Sequence, residues 1–223
     1  RAIFLVHLLG NPCDMGRILE VAKRHELLVI EDCCEALGSE WDGVKVGNFG
    51  LGAAFSFFFS HHITTMEGGM IATGDPELAD QLRILRAHGW LRNVDPSRHM
   101  SLDHDVDSRY AFVNWGFNFR PTELQAGFGL QQLAKIAGFT DRRNMLSSRF
   151  FSYIDGARFL SRPSVSAKAR PVWMALPVLL DECAPFRRQD LTAYLEDSGV
   201  ETRPIVAGNL SRQPAARLFE HLR

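Results

Sequence analysis

The sequence predicts an α/β fold with a mostly parallel sheet, because predicted strands and helices alternate along much of the chain. The first 31 residues contain an apolar strand, a helix and a second strand, at the spacing that a right-handed parallel crossover needs. Of the 223 residues, 46% are hydrophobic and 16 are phenylalanine. That composition supports a sizeable core in one domain, or in one domain and part of another.

The predicted sheet comes from the first third of the chain. Asp14 stands where it can cap a helix that continues to about His25. Four apolar runs are typical of strands: Ala2–Leu8, Leu27–Glu31, Ala53–Phe58 and Gly69–Thr73. The last two flank a loop in which histidine, threonine and glycine are concentrated.

The rest of the chain is predicted to be helical at first and mixed afterwards, with a polar, irregular stretch at residues 90–115. Val172–Leu180 and Glu201–Ile205 are predicted strands. Helices are expected in four places: Asp75 to about His88, Thr122–Ala137, about Asp141–Ile154 and about Arg188–Ser198. We expect residues 1–140 to form part of a large domain, and residues 141–223 a connecting helix and part of a smaller α+β domain.

Charge and composition argue against several classes of protein. A net charge of −1 gives no electrostatic reason to bind nucleic acid or an anionic membrane. No apolar run approaches the roughly 20 residues that span a bilayer, and no signal peptide is visible. Cys13, Cys33, Cys34 and Cys183 form no C-x-x-C pair, which favours the reducing cytoplasm. His99–Asp107 holds possible ligands at spacings that fit neither an EF-hand nor a zinc helix, so we predict no metal site.

Residues 56–69 have a specific pattern, S-F-x-x-x-H-H-I-T-T-x-E-G-G. It resembles the active-site segment of the DegT/DnrJ/EryC1/StrS sugar aminotransferase family. The resemblance implies a fold-type I transferase that uses pyridoxal 5'-phosphate (PLP) on nucleotide-linked keto-sugars. Members are close to twice the length of this chain, so we expect N-terminal and C-terminal parts of a typical enzyme to be missing from it.

His61 stands where most family members carry the lysine that binds the cofactor covalently. An imidazole cannot make that bond, so the resemblance implies a cofactor free to work as pyridoxamine 5'-phosphate (PMP). An imidazole with a pKa near 6.5 is also matched to removing an activated C–H proton. Because side chains alternate in an extended segment, His61 and His62 cannot point into the same space, and we interpret His62 as structural.

Three further residues are candidates for holding the cofactor. Asp32 follows a predicted strand, where parallel sheets bind ligands, although a strand-end aspartate also commonly caps a turn. The resemblance assigns Asp32 to the pyridinium nitrogen and Ser56 to the cofactor phosphate. It places Glu35 where relatives often have a glutamine near the ring oxygen.

Three later segments also resemble the family. In Gly116-Phe117-Asn118-Phe119-Arg120, the resemblance implies that Asn118 reaches the cofactor phosphate of the neighbouring subunit, and hence a homodimer. The segments around Arg203 and Arg212 resemble the 3-dehydratase branch, and guanidinium groups suit a sugar diphosphate. Ordinary surface arginines are the alternative.

The resemblance as a whole implies C3 deoxygenation of a nucleotide-linked 4-keto-6-deoxyhexose in dideoxysugar or polysaccharide synthesis. It favours a GDP-linked substrate and glutamate as the amine donor. The alternatives are an ordinary nucleotide-sugar aminotransferase, against which His61 argues, and a non-catalytic remnant. An iron–sulfur 3-dehydrase is disfavoured, because no cysteine lies between Cys34 and Cys183.

Overall fold

The computed structural model describes residues 1–92, 94–95 and 106–222. They form two compact units, the first made of Arg1–Phe150 and Ser164–Leu176, the second of Phe151–Pro163 and the residues from Pro177 onwards. The domain boundary at residue 140 stays a prediction. Most of the stretch at 99–107, for which we predicted no metal site, lies outside the described residues.

Nine strands and five α-helices are present in the described residues. The strands are β1 (Ala2–Val6), β2 (Leu28–Asp32), β3 (Glu40–Trp41), β4 (Val44–Lys45), β5 (Gly52–Ser56), β6 (Gly69–Ala72), β7 (Leu160–Ser161), β8 (Ala169–Arg170) and β9 (Leu179–Leu180). The helices are α1 (Met15–Arg24), α2 (Pro76–Leu85), α3 (Glu123–Leu133), α4 (Ile136–Ile154) and α5 (Arg188–Asp197). None of these helices is both long enough and apolar enough to cross a bilayer.

A four-stranded sheet in the order β1-β2-β5-β6 organises the first unit. The pairs β1–β2 and β2–β5 are parallel, and only β6 runs antiparallel to its neighbour. The strand–helix–strand unit β1-α1-β2 is the predicted crossover. The mostly parallel α/β fold is therefore confirmed. Its main core cluster contains Leu5, Met15, Ala22, Val29, Trp41 and Ala169.

Three of the predicted helix starts are also found, because each of these three depends on a local capping bond. The Asp14 carboxylate accepts a hydrogen bond from the Arg17 N–H at the start of α1. Asp75 does the same for the first turn of α2, with Pro76 in the first helical position. At α3, the side chains of Thr122 and Gln125 form a reciprocal capping box.

Several predicted elements differ from the observed ones. α4 begins at Ile136 rather than near residue 141, and the short β3–β4 hairpin had no clear pattern in the sequence. Residues 172–178 are not a strand, and residues 201–205 form none either. Pro171, Pro177 and Pro204 explain this, because a proline lacks the N–H that a strand ladder uses.

The second unit is small and contains few regular elements. β7 and β9 form an antiparallel pair, and α5 matches the predicted helix within one residue. Two 3-10 segments follow, at Leu210–Arg212 and Pro214–Leu222.

Candidate functional site

The parallel sheet places two of the predicted site residues at the same edge. Asp32 is the last residue of β2 and Ser56 the last residue of the neighbouring β5. In the register of the two strands Asp32 lies beside Ala54, two residues before Ser56. Since β2 and β5 are parallel, their carboxyl ends meet where ligands of open α/β sheets bind.

The Asp32 carboxylate uses only part of its hydrogen-bonding capacity within the described structure. It is half-buried, and one oxygen accepts a hydrogen bond from the Cys34 N–H at 3.0 Å. Burial raises the pKa of the Cys34 thiol to about 12, and the neighbouring Asp32 carboxylate adds to this effect, so the thiol stays neutral. No lysine, arginine or histidine in the described part of the chain forms an ion pair with Asp32. A protonated pyridine nitrogen fits this carboxylate.

Glu31, the neighbour of Asp32, is fully buried and belongs to a closed network. Its carboxylate accepts hydrogen bonds from the backbone N–H groups of Gly47, Phe49 and Gly50 at 2.7–2.9 Å. The fourth comes from His7, whose Nδ1 accepts from the Cys13 N–H, so Nε2 carries the proton and donates to Glu31 at 3.1 Å. Burial alone would raise the pKa of Glu31, but these bonds outweigh it and the pKa is lowered.

The Glu31 network fixes the end of β2 beneath the candidate site. With Cys33, the side chains of His7 and Glu31 lie within 4.8 Å of one another, close enough to resemble a metal site. However, the oxygens of Glu31 and both nitrogens of His7 already have partners, and burial raises the pKa of the Cys33 thiol. We assign the cluster a structural role, which sequence reasoning missed because its contacts are distant along the chain.

The loop that carries His61 is closed by its own backbone. The Phe57 N–H donates to the Gly68 carbonyl, and the Thr65 N–H donates to the Phe57 carbonyl, both at 2.9 Å. At the start of this loop the Ser56 hydroxyl accepts a hydrogen bond from the Phe58 N–H at 3.2 Å. These hydrogen bonds hold the end of β5 and the two ends of the loop together.

His61 is half-buried, and its ring packs edge-on against Phe58 with the centroids 5.8 Å apart. Its Nδ1 is buried and has no hydrogen-bond partner among the residues that the structure describes. With Nδ1 buried, Nε2 is the ring nitrogen that a ligand can reach, and it forms no hydrogen bond to a described residue, so it can accept a proton. The geometry thus fits a general base.

His62 has a different environment, although it is the next residue. It is buried, and its Nε2 donates to the Val172 carbonyl at 2.8 Å, which leaves Nδ1 without a partner in the described structure. Burial lowers the pKa of His62 to about 4. His62 is therefore neutral near pH 7, and its geometry fits the structural role that we inferred for it.

The lowered pKa of His62 predicts a pH-dependent stability. The unfolded chain binds a proton at this side chain below about pH 6.5, whereas the folded protein does so only near pH 4. We expect the free energy of unfolding to fall as the pH drops from 6.5 to 4, by up to about 3 kcal/mol at 1.36 kcal/mol per pH unit. Urea unfolding of the full-length protein at several pH values measures this.

His62→Gln is the control for that measurement, because glutamine does not titrate in this range. The loss of stability in the wild type should exceed the loss in the variant. Equal pH dependences in the two proteins would show that the His62 pKa is not lowered by folding.

The other predicted cofactor residues have partners of their own. The Glu35 carboxylate accepts a hydrogen bond from the Leu9 N–H at 2.7 Å, and so holds the turn after β1, where Leu9 has a φ of 52°. Asn118 is exposed, and its side-chain oxygen accepts a long hydrogen bond, 3.4 Å, from Arg120. Contacts of Glu35 and Asn118 with a cofactor stay predictions.

Both predicted substrate arginines lie in the second unit. Arg203 is exposed and forms an ion pair of 2.8 Å with Glu201. Arg212 is exposed at the end of a 3-10 turn that Asn209 caps. Nothing in their surroundings distinguishes them from surface arginines, and their role in substrate binding stays a prediction.

Comparisons with known proteins show which family the chain resembles over almost its whole length. The model of the DegT/DnrJ/EryC1/StrS aminotransferase family matches residues 1–221. The chain is 34% identical to GDP-4-keto-6-deoxy-D-mannose 3-dehydratase of Yersinia pseudotuberculosis, over 99% of this chain and 57% of that protein. It is 40% identical to GDP-perosamine synthase of Caulobacter vibrioides, over 92% of this chain and 52% of that protein.

A solved structure gives the same answer. GDP-4-keto-6-deoxymannose-3-dehydratase with a trapped PLP-glutamate geminal diamine superposes with a TM-score of 0.90 at 32% identity, over 97% of this chain and 57% of that chain. The present chain thus spans just over half the length of the relatives it matches. The α/β fold is confirmed, and the solved relative carries the PLP cofactor that the resemblance implies. The chain belongs to the DegT/DnrJ/EryC1/StrS aminotransferase family.

Proposed function

We propose that the full-length protein is a PLP- and PMP-dependent dehydratase that removes the C3 hydroxyl of a nucleotide-linked 4-keto-6-deoxyhexose. The observation that carries the proposal is His61, an imidazole where the family's lysine is expected, whose ring forms no hydrogen bond to a described residue. The similarity of the chain to a GDP-4-keto-6-deoxy-D-mannose 3-dehydratase supports the same reaction.

The residues at the sheet edge fit the cofactor. PLP in its amine form, when bound, would supply the amino nitrogen that condenses with the sugar's C4 carbonyl and a ring that accepts electrons. Asp32 would keep the ring nitrogen protonated, and the Ser56 hydroxyl would donate a hydrogen bond to the phosphate. His61 would take up the proton lost from the cofactor's C4′ carbon, and the electron pair left behind would expel the C3 hydroxyl, which leaves as water. Hydrolysis would then release ammonia and a 3-deoxy-4-keto sugar, and glutamate would supply the two electrons of the reduction by leaving as 2-oxoglutarate.

The partners follow from the same relatives. GDP is the favoured nucleotide, because both curated relatives described above carry GDP in their names. Glutamate is the proposed amine donor, since a solved relative holds it joined to PLP. We also propose a homodimer in which Asn118 reaches the phosphate in the neighbouring subunit, and a cytoplasmic location.

A nucleotide-sugar aminotransferase is the second candidate. It is favoured by the family to which the chain belongs and by the 40% identity with a GDP-perosamine synthase. The two reactions differ in whether nitrogen is released as ammonia or stays on the sugar, and His61 favours release.

A cofactor without a covalent bond to the protein is the first expected result. The full-length protein should bind PLP, yet borohydride reduction followed by mass spectrometry should find no PLP adduct on the chain, because His61 cannot form one. His61→Lys is the matched positive control and should gain a reducible adduct at residue 61. A wild-type adduct at any lysine would contradict the proposal.

A further inference from the structure

One short segment, Val172–Met174, is bound by polar groups from four separate parts of the first unit. The Val172 carbonyl accepts from His62 Nε2 at 2.8 Å, and the Val172 N–H donates to the Ser39 hydroxyl at 2.9 Å. Ser39 in turn donates to the Gly10 carbonyl at 2.8 Å. Val172, Ser39 and His62 are all buried, so these bonds are shielded from water.

Arg143 and the turn after β1 complete the anchoring. One guanidinium nitrogen of Arg143 donates to the carbonyls of Trp173 and Met174, at 3.0 Å each. The Met174 N–H donates to the Leu9 carbonyl, also at 3.0 Å. The segment is therefore fixed from several sides at once, and His62 is the residue through which the loop of residues 57–68 is tied to it.

His61 itself makes few contacts that could orient it. Its ring makes no hydrogen bond to a described residue, and the aromatic ring that it packs against is that of Phe58. A general base must nevertheless be held close to its productive geometry, within about 0.5 Å. The direction of the His61 side chain then depends on the backbone at residues 61 and 62, which is held by the bond from the His61 N–H to the Phe58 carbonyl and by the bond from His62 to Val172.

We propose that Val172–Met174 is a positioning element for the base His61 and acts through the hydrogen bond from His62 to the Val172 carbonyl. The inference rests on the proposed function insofar as it concerns turnover. The anchoring of the loop does not depend on that function. A buried histidine that only stabilised the fold would affect the amount of folded protein and leave each folded site equally active.

Two substitutions at His62 separate these roles. Glutamine places an amide N–H the same number of bonds from the backbone as Nε2 of histidine, so His62→Gln can still donate to Val172. His62→Leu fills similar space and cannot donate. Met15→Ala is the control for general loss of stability, because Met15 is buried in the core cluster with Leu5 and Trp41 and takes no part in the loop.

Turnover per folded site is the first measurement. In the full-length protein His62→Leu should lower kcat for C3 elimination about tenfold, with the KM for the sugar unchanged, because misplacing the base affects the chemical step. His62→Gln should restore kcat to within about threefold of the wild type. Met15→Ala should lower the melting temperature without lowering kcat per folded site.

Hydrogen exchange is the second measurement, and it does not need a reaction. The His61 N–H donates to the Phe58 carbonyl at 3.1 Å, and the Thr65 N–H to the Phe57 carbonyl at 2.9 Å. Both amides should exchange faster in His62→Leu than in the wild type, regain protection in His62→Gln, and be unchanged in Met15→Ala.

The outcomes are separable. Unchanged exchange in His62→Leu would overturn the anchor, and faster exchange with an unchanged kcat would overturn the positioning role. Failure of His62→Gln to restore either quantity would also overturn it. If the wild type has no dehydratase activity, the proposed function fails, and the exchange rates alone decide whether Val172–Met174 holds the loop.

Discussion

Replacing His61 by asparagine should lower C3 elimination by a factor of roughly 10² or more, the usual scale for a lost general base. The variant should fold normally and still bind PMP, since the structure gives His61 no hydrogen bond to a described residue that asparagine would break. Release of ammonia and of 3-deoxy-4-keto product from GDP-4-keto-6-deoxymannose measures the loss.

His62→Asn is the matched comparison for that variant. It shortens the side chain that donates to Val172, so it should weaken turnover through the position of His61 and cost much less than His61→Asn. If His61→Asn kept near-normal turnover while His62→Asn abolished it, the base would be assigned to the wrong histidine.

Replacing Asp32 by asparagine is expected to have an effect of the same order. A neutral amide cannot stabilise a protonated ring nitrogen, so the cofactor would accept electrons less well and turnover should fall by roughly 10². In a structure with PLP or PMP bound, the Asp32 carboxylate should lie within about 3 Å of that nitrogen.

Asp42→Asn is the control, because Asp42 is an exposed aspartate paired with Lys168 at 2.8 Å. It should leave turnover unchanged. A ring nitrogen that faces another residue, or equal turnover in the Asp32→Asn and Asp42→Asn variants, would show that Asp32 is only the end of a strand.

The elements that sequence reasoning predicted correctly depend on local interactions. α1, α2 and α3 begin where Asp14, Asp75 and Thr122 cap them, and such bonds span two or three residues. The strands predicted to end at Glu31 and Phe58 end instead at Asp32 and Ser56, because periodicity locates a strand better than it locates the last residue. The candidate roles of Ser56 and His61 came from the family motif.

The contacts that sequence reasoning missed join residues far apart in the chain. His62 and Val172 are 110 positions apart, and Ser39 and Val172 are 133 apart. Periodicity carries no information about such pairs. The strand predicted at 172–180 exists only at Leu179–Leu180, because Pro171 and Pro177, which were visible signals against it, lack the N–H that a strand ladder uses. The sequence predicts Glu31 only as the last residue of a strand. Because side chains alternate along a strand, the Glu31 side chain lies on the opposite face of the sheet from Asp32, and this alternation could have indicated a separate role for Glu31.

The most direct test of the account is the identity of the product. The full-length protein is incubated with PLP, glutamate and GDP-4-keto-6-deoxymannose, and the nucleotide sugar is analysed by mass spectrometry while ammonia is assayed. We expect a 3-deoxy-4-keto sugar, with ammonia released in equal amount, and no amino sugar. A GDP-linked 4-amino sugar without ammonia would show that the protein completes an amino transfer, and would contradict the role of His61 as the base of a dehydratase.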